Sequence, residues 1–203
     1  MKTQSRNSSI PGFTLVELLV VIAIIATLAA ASFGVGRTMI EKAKRVSAQS
    51  VASSISSAVD SFYSDYSALP VPNPASAPTA DNTTPPYSTS GADSDNGVAL
   101  LNALNGTESN TTSQNDRKIR YLSLKKAKGG NRDGATYNDT SGEITGLYDP
   151  WSKPYFIVLD YNYDDQITVN PLGPDIVLNG RKVAVYSLGT DGLASSKTLV
   201  KTW

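Results

Sequence analysis

The sequence predicts an α+β protein in which one long N-terminal α-helix packs on a small antiparallel β-sheet. Three observations predict it. The stretch from Phe13 to Val35 is apolar and carries a single charge, Glu17. Apolar residues then recur at three- and four-residue steps, at Val51, Ile55, Ala58, Val59, Phe62, Tyr66 and Leu69, the helical period. Beyond a proline-rich break, short β-branched and aromatic segments alternate with turn signals.

Residues 1–12 are polar, contain Lys2 and Arg6, and read as a leader. An ordinary export signal runs basic, then apolar, then small residues at the cut. Here Gly12 precedes the apolar stretch, and Ala29-Ala30-Ala31 offers the alternative, late cut. Residues 13–35 form the first half of the helix. As a helix they would rise roughly 35 Å, against about 30 Å of hydrocarbon in a bilayer, so this half reads as a single transmembrane span. Charges flank it on both sides, Lys2 and Arg6 before, Arg37, Lys42, Lys44 and Arg45 after, with Glu41 as an offset. Charge counting therefore leaves the orientation open.

Residues 36–69 are the amphipathic half. Gly34 and Gly36 stand at the junction and weaken the helix by roughly 1 kcal/mol each relative to Ala, without ending it. The expected helix is Phe13 to Ser67, stopped by Leu69-Pro70-Val71-Pro72-Asn73-Pro74. Residues 70–117 are rich in Pro, Ser, Thr, Asn and Asp and read as a variable loop. Within them Val98 to Leu104 predicts a short helix, capped by Asp95 or Asn96 and stopped by Gly106. Residues 118–203 hold the strands, expected at 119–124, 155–159, 167–169, 183–188 and 198–200. Tight turns are marked by Gly129-Gly130, Asp133-Gly134, Asp149-Pro150 and Asp191-Gly192.

Composition narrows the function. The 203 residues balance 18 basic against 18 acidic side chains, which gives no reason to expect nucleic acid as a partner. Cysteine and histidine are both absent, so no disulfide forms, and the commonest general base and transition-metal ligand are missing. No pair of acids stands out as catalytic, and an enzyme is not expected.

Gly12-Phe13-Thr14-Leu15-Val16-Glu17, followed by Leu18-Leu19-Val20-Val21-Ile22-Ala23-Ile24-Ile25, resembles the class III signal of type IV pilins and type II secretion pseudopilins. The resemblance implies a type IV pilin-like fold and cleavage between Gly12 and Phe13 by a prepilin peptidase. It also implies N-methylation of Phe13 and assembly of many copies into a filament through their helices. Pro11 is a departure, since a basic residue often stands nearer the cut. A lone acid inside hydrocarbon costs roughly 2.5–3.5 kcal/mol at a helix centre, less near an end. Cleavage before Phe13 creates an amine close to Glu17. The carboxylate of one subunit can then meet the amine of its neighbour, compensating both charges. The plainer alternative is an acid in the first helical turn, favoured by the helix dipole.

Asp149-Pro150-Trp151-Ser152-Lys153-Pro154-Tyr155, Val185-Tyr186-Ser187-Leu188-Gly189-Thr190-Asp191-Gly192 and the final Trp203 resemble the major pseudopilin of type II secretion. That family usually has glycine where Ser152 stands. The resemblance implies an inner-membrane protein with its C-terminal domain in the periplasm, working with other pseudopilins and inner-membrane secretion components. A type IV pilin for adhesion, motility or DNA uptake is the alternative, and it commonly carries a C-terminal disulfide. A singly anchored envelope protein is a third reading.

Calcium is the one candidate cofactor, at either of two loops. The resemblance implies a site in the last loop using the Leu188 carbonyl and Asp191, but Leu199 occupies the place of the second aspartate. Independently, Asp160, Asn162, Asp164 and Gln166 alternate oxygen-bearing side chains ahead of Ile167, as a calcium loop does. Asp165 and Pro171 depart from that pattern, and a polar hairpin tip with Asn and Asp capping the backbone is the alternative. The cations Arg117, Lys118, Arg120, Lys125, Lys126 and Lys128 alternate with Ile119, Tyr121, Leu122 and Leu124, and read as a solvated face rather than an anion site.

Overall fold

The computed structural model describes residues 12–82, 85–91, 96–108, 113–171, 173–191 and 198–203, leaving out the side chains of 31–35, 37 and 191. Most of the expected leader, the alternative cap Asp95 and the turn residue Gly192 lie outside the described residues. The elements in chain order are helix α1 (Leu15–Tyr66), β1 (Tyr87–Ser88), α2 (Asn96–Asn105), β2 (Gly134–Tyr137) and β3 (Ile144–Tyr148). They continue with β4 (Tyr155–Leu159), β5 (Gln166–Val169), β6 (Ile176–Asn179), β7 (Val183–Ser187) and β8 (Val200–Lys201). Single helical turns occur at Pro74–Ser76 and Gly189–Asp191.

The expected long helix is present as the 52 residues of α1. Gly34 and Gly36 sit inside it. Its C-terminal end is set by Ser67, whose left-handed φ of 54° turns the chain while its N–H donates to the Tyr63 carbonyl at 2.8 Å. The chain divides into two compact units, one ending at Ala43 and one starting at Lys44.

In the second unit α1 buries Ala48, Ala52, Ile55, Val59 and Phe62, one face at helical spacing. This face packs with Leu100, Leu101 and Leu104 of α2, Tyr155, Ile157 and Leu159 of β4, and Val183 and Val185 of β7. The intervening residues of the same strands, Val158, Ala184 and Tyr186, join Ile167, Val169 and Leu199 in a second cluster. Strands β4 and β7 are thus covered on both faces, which is why they read as continuous apolar runs rather than as alternating ones.

The α+β architecture is as expected, but the β region is three antiparallel assemblies rather than one sheet. They are a four-stranded sheet in the order β1-β4-β7-β8 and two two-stranded ladders, β2-β3 and β5-β6. Strands β1, β2, β3 and β6 were not among the expected ones. The segment 119–124, expected as a strand, joins none of these ladders. The Tyr121 and Leu122 N–H groups both donate to the Leu104 carbonyl, at 2.9 and 3.1 Å, so this backbone closes the C-terminal end of α2 instead.

Candidate processing and assembly site

Four residues at the start of α1 form the candidate site. Gly12 and Phe13 precede the helix, and Phe13 is 76% exposed. Thr14 and Glu17 form a reciprocal cap. The Thr14 hydroxyl accepts the Glu17 N–H at 3.2 Å, while Glu17 Oε2 accepts the Thr14 N–H at 2.9 Å and its hydroxyl at 2.7 Å. This arrangement explains why the helix begins at Leu15. Sequence reading singled out Glu17 and passed over Thr14, although Thr-x-x-Glu ahead of an apolar run is a recognisable capping box.

Around the cap the first unit exposes its apolar side chains. Leu15, Val16, Leu18, Leu19, Val20, Val21, Ile22, Ile24, Ile25 and Leu28 are all large, apolar and exposed. So much contiguous apolar surface must be covered by lipid, by other chains, or by both. Among the described residues no helix is long and apolar enough to cross a membrane.

The two candidate calcium loops lie apart. Asp160 follows β4 and Leu188 follows β7, and these strands run antiparallel with Tyr155 opposite Ser187 and Leu159 opposite Val183. The loops therefore sit at opposite ends of the pair, roughly 20 Å apart at about 3.4 Å per residue. At the β7 end the Leu188 carbonyl already accepts the Thr198 hydroxyl at 3.2 Å, and Leu199 is 4% exposed within the second core cluster. The side chain of Asp191 lies outside the described residues. Gly189 is required here. Its φ is +72°, and a Cβ would fall 2.2 Å from the Thr198 carbonyl oxygen.

At the β4 end the acids cap the turn. Asp160 accepts the Asp164 and Asp165 N–H groups at 3.2 and 3.1 Å, Asn162 Oδ1 accepts the Asp164 N–H at 3.1 Å, and Asp164 accepts the Gln166 N–H at 2.9 Å. Tyr163 and Asp165 take left-handed φ values of 58° and 60° in the same turn. Asp81 joins from the distant proline-rich loop, accepting the Tyr161 N–H at 3.0 Å. Burial, aided by the charges of Asp160 and Asp164, raises its carboxyl above the ordinary range, although the Asn162 and Tyr161 N–H groups pull the other way. Carboxylate oxygens of Asp81, Asp160 and Asp164 lie within 4.8 Å of one another, which is where a hard cation would fit. Gln166 is exposed on β5, and sequence alone gave no means of finding Asp81.

Four members of the basic cluster face carboxylates. Arg117 pairs with Asp65 at 3.1 Å, Lys126 with Asp139 at 3.5 Å, and Lys125 and Lys128 both with Asp133, at 2.6 and 3.3 Å. Burial pushes Asp133 up, but hydrogen bonds from Lys125, Lys128 and Ser47 outweigh it and hold its carboxyl below the usual range.

The turn after β3 is organised by Asp149, which is fully buried. Its Oδ1 accepts the Trp151 and Lys153 N–H groups, both at 2.8 Å, and its Oδ2 accepts the Ser187 hydroxyl of β7. Ser152, in the same turn, holds a left-handed φ of 64°. A side chain there costs about 1–2 kcal/mol, a strain that glycine would relieve. Ser152→Gly is expected to stabilise the protein by about 0.5–1 kcal/mol, less than the full strain because glycine also loosens the unfolded chain. In a thermal melt the midpoint should rise by roughly 2–4 °C per kcal/mol for a chain of this size; a fall would contradict the strain argument.

A capped apolar N-terminal helix continuing into a helix packed on small antiparallel sheets defines an α+β protein with a type IV pilin-like fold. Residues 8–33 match the prokaryotic N-terminal methylation motif, the class III signal of type IV pilin-like proteins. The motif indicates a pilin-like subunit, a structural class that is generally not enzymatic, anchored at a membrane by its N-terminal region. It implies prepilin peptidase processing and filament assembly. No curated protein and no solved structure matches the chain.

Proposed function

We propose that this chain is the structural subunit of a type II secretion pseudopilus, assembling through its N-terminal helix to drive protein export across the outer membrane. In this reading a prepilin peptidase cuts between Gly12 and Phe13, and Phe13 is N-methylated. Residues 13–35 then span the inner membrane, with the C-terminal domain in the periplasm. In the filament, Glu17 of one subunit meets the Phe13 amine of the next. Partners are further copies of the chain, other pseudopilins and inner-membrane secretion components.

The observation that carries the reading is Glu17, an acid held at the head of a helix whose large apolar side chains face outward over several turns. The secretion reading, rather than the pilus reading, is favoured by the Leu188 to Gly192 segment and by the absence of cysteine. The test is deletion of the chain in its native host. Export of secreted enzymes is expected to stop while surface pili, motility and DNA uptake persist; the reverse pattern would make it a type IV pilin.

A further inference from the structure

We infer that the side chains of Asn82 and Asp81 act as a surrogate strand, closing the outer edge of β4 against pairing with a second copy of this chain. Strand β4 is paired along its whole length by β7, from Tyr155↔Ser187 to Leu159↔Val183. On its other edge β1 covers far less, with Tyr87 opposite Ile157 and Ser88 opposite Phe156. Continuing β1 backward brings Pro86 and Pro85, which have no N–H to donate. The end of the edge would stand open.

Asn82 closes it. Its Nδ2 donates to the Ile157 carbonyl at 2.8 Å and its Oδ1 accepts the Leu159 N–H at 2.8 Å. A carboxamide presents a donor and an acceptor in one plane, as a peptide group does, so one side chain bridges from the last β1-paired residue, Ile157, to Leu159 beyond it. Asp81 extends the cover beyond the strand, with its Oδ1 3.0 Å from the Tyr161 nitrogen and 3.5 Å from that of Asn162. It also sets a carboxylate where the edge ends, a charge that discourages strand addition.

The guarded strand needs a guard. Tyr155-Phe156-Ile157-Val158-Leu159 has high β propensity and neither charge nor proline, the composition of a segment that pairs with its own kind. A second copy is therefore the natural occupant of an unguarded edge. This inference goes beyond the filament reading and does not depend on it.

The test uses the full chain in detergent micelles, following amide exchange together with sedimentation over a concentration series. In Asn82→Ala the Leu159 amide is expected to exchange roughly tenfold faster or more, having lost its acceptor. The variant should also form β-rich oligomers at concentrations where the unaltered chain forms none. Unchanged Leu159 exchange would overturn the inference, as would faster exchange without added self-association. Asn82→Asp keeps the acceptor and adds a charge, so it should stay protected and dispersed, and it decides the matter if the alanine variant does not fold. Self-association of a protected Asn82→Asp chain would equally overturn the guarding role.

Discussion

Replacing Glu17 with alanine is expected to leave cleavage before Phe13 intact and to abolish filament assembly. In the proposed filament each carboxylate compensates the amine of a neighbour in surroundings of low dielectric. Removing one partner of a buried pair leaves the other uncompensated, at roughly 3–5 kcal/mol per contact. Even the lower figure exceeds a hundredfold in each association step, since about 1.4 kcal/mol is tenfold. Alanine also breaks the cap with Thr14, worth only about 1 kcal/mol. Glu17→Gln separates the two effects, because glutamine can serve in a capping box but carries no charge. Both variants should be processed and both should fail to assemble, read as sheared filaments from cells expressing the chain. Normal filaments from Glu17→Gln would assign the residue to capping and remove the charge-pairing argument.

Replacing Asp149 with alanine is expected to cost about 3–5 kcal/mol, a large share of the stability of a domain this size. The change orphans the half-buried Trp151 and Lys153 N–H groups and the fully buried Ser187 hydroxyl. Each buried group left unbonded costs about 1–3 kcal/mol. Asp149→Asn should be far milder, since its oxygen can still accept both N–H groups and its NH2 can meet the Ser187 oxygen.

The pair of variants also has a pH signature. Burial raises the Asp149 carboxyl above its ordinary value, against the opposing hydrogen bonds from Ser187, Lys153 and Trp151. The folded state therefore binds the proton more tightly than the unfolded state. The linked stability is fully present below about pH 3.9, the unfolded value, and is lost as pH rises through the folded value. The melting-temperature advantage of the native chain over Asp149→Asn should be greatest in acid and shrink toward neutrality. An advantage that grows with pH would contradict the burial argument.

The long helix was legible because its two signals are local, an apolar stretch and a three- and four-residue rhythm from Val51 to Leu69. Strands β4 and β7 were legible as apolar runs. What escaped was set by distant partners. Residues 119–124 have strand composition, yet their backbone serves the end of α2 through the Leu104 carbonyl. β1 spans two residues, and its edge is completed by a side chain, so no pattern marks it. At the candidate site, Gly12, Phe13 and Glu17 stand within the matched motif of residues 8–33. Thr14 was written in the same motif and overlooked. Asp81 reaches Asp160 and Asp164 only because the proline-rich loop folds back onto β4, which no spacing rule announces.

The most direct test is the mass of the mature N-terminus, measured on protein purified from the membranes of its native host. A chain beginning at N-methylated Phe13 is the expected result. A chain still carrying residues 1–12, or one beginning near Ser32 after an ordinary export cut, would contradict the account.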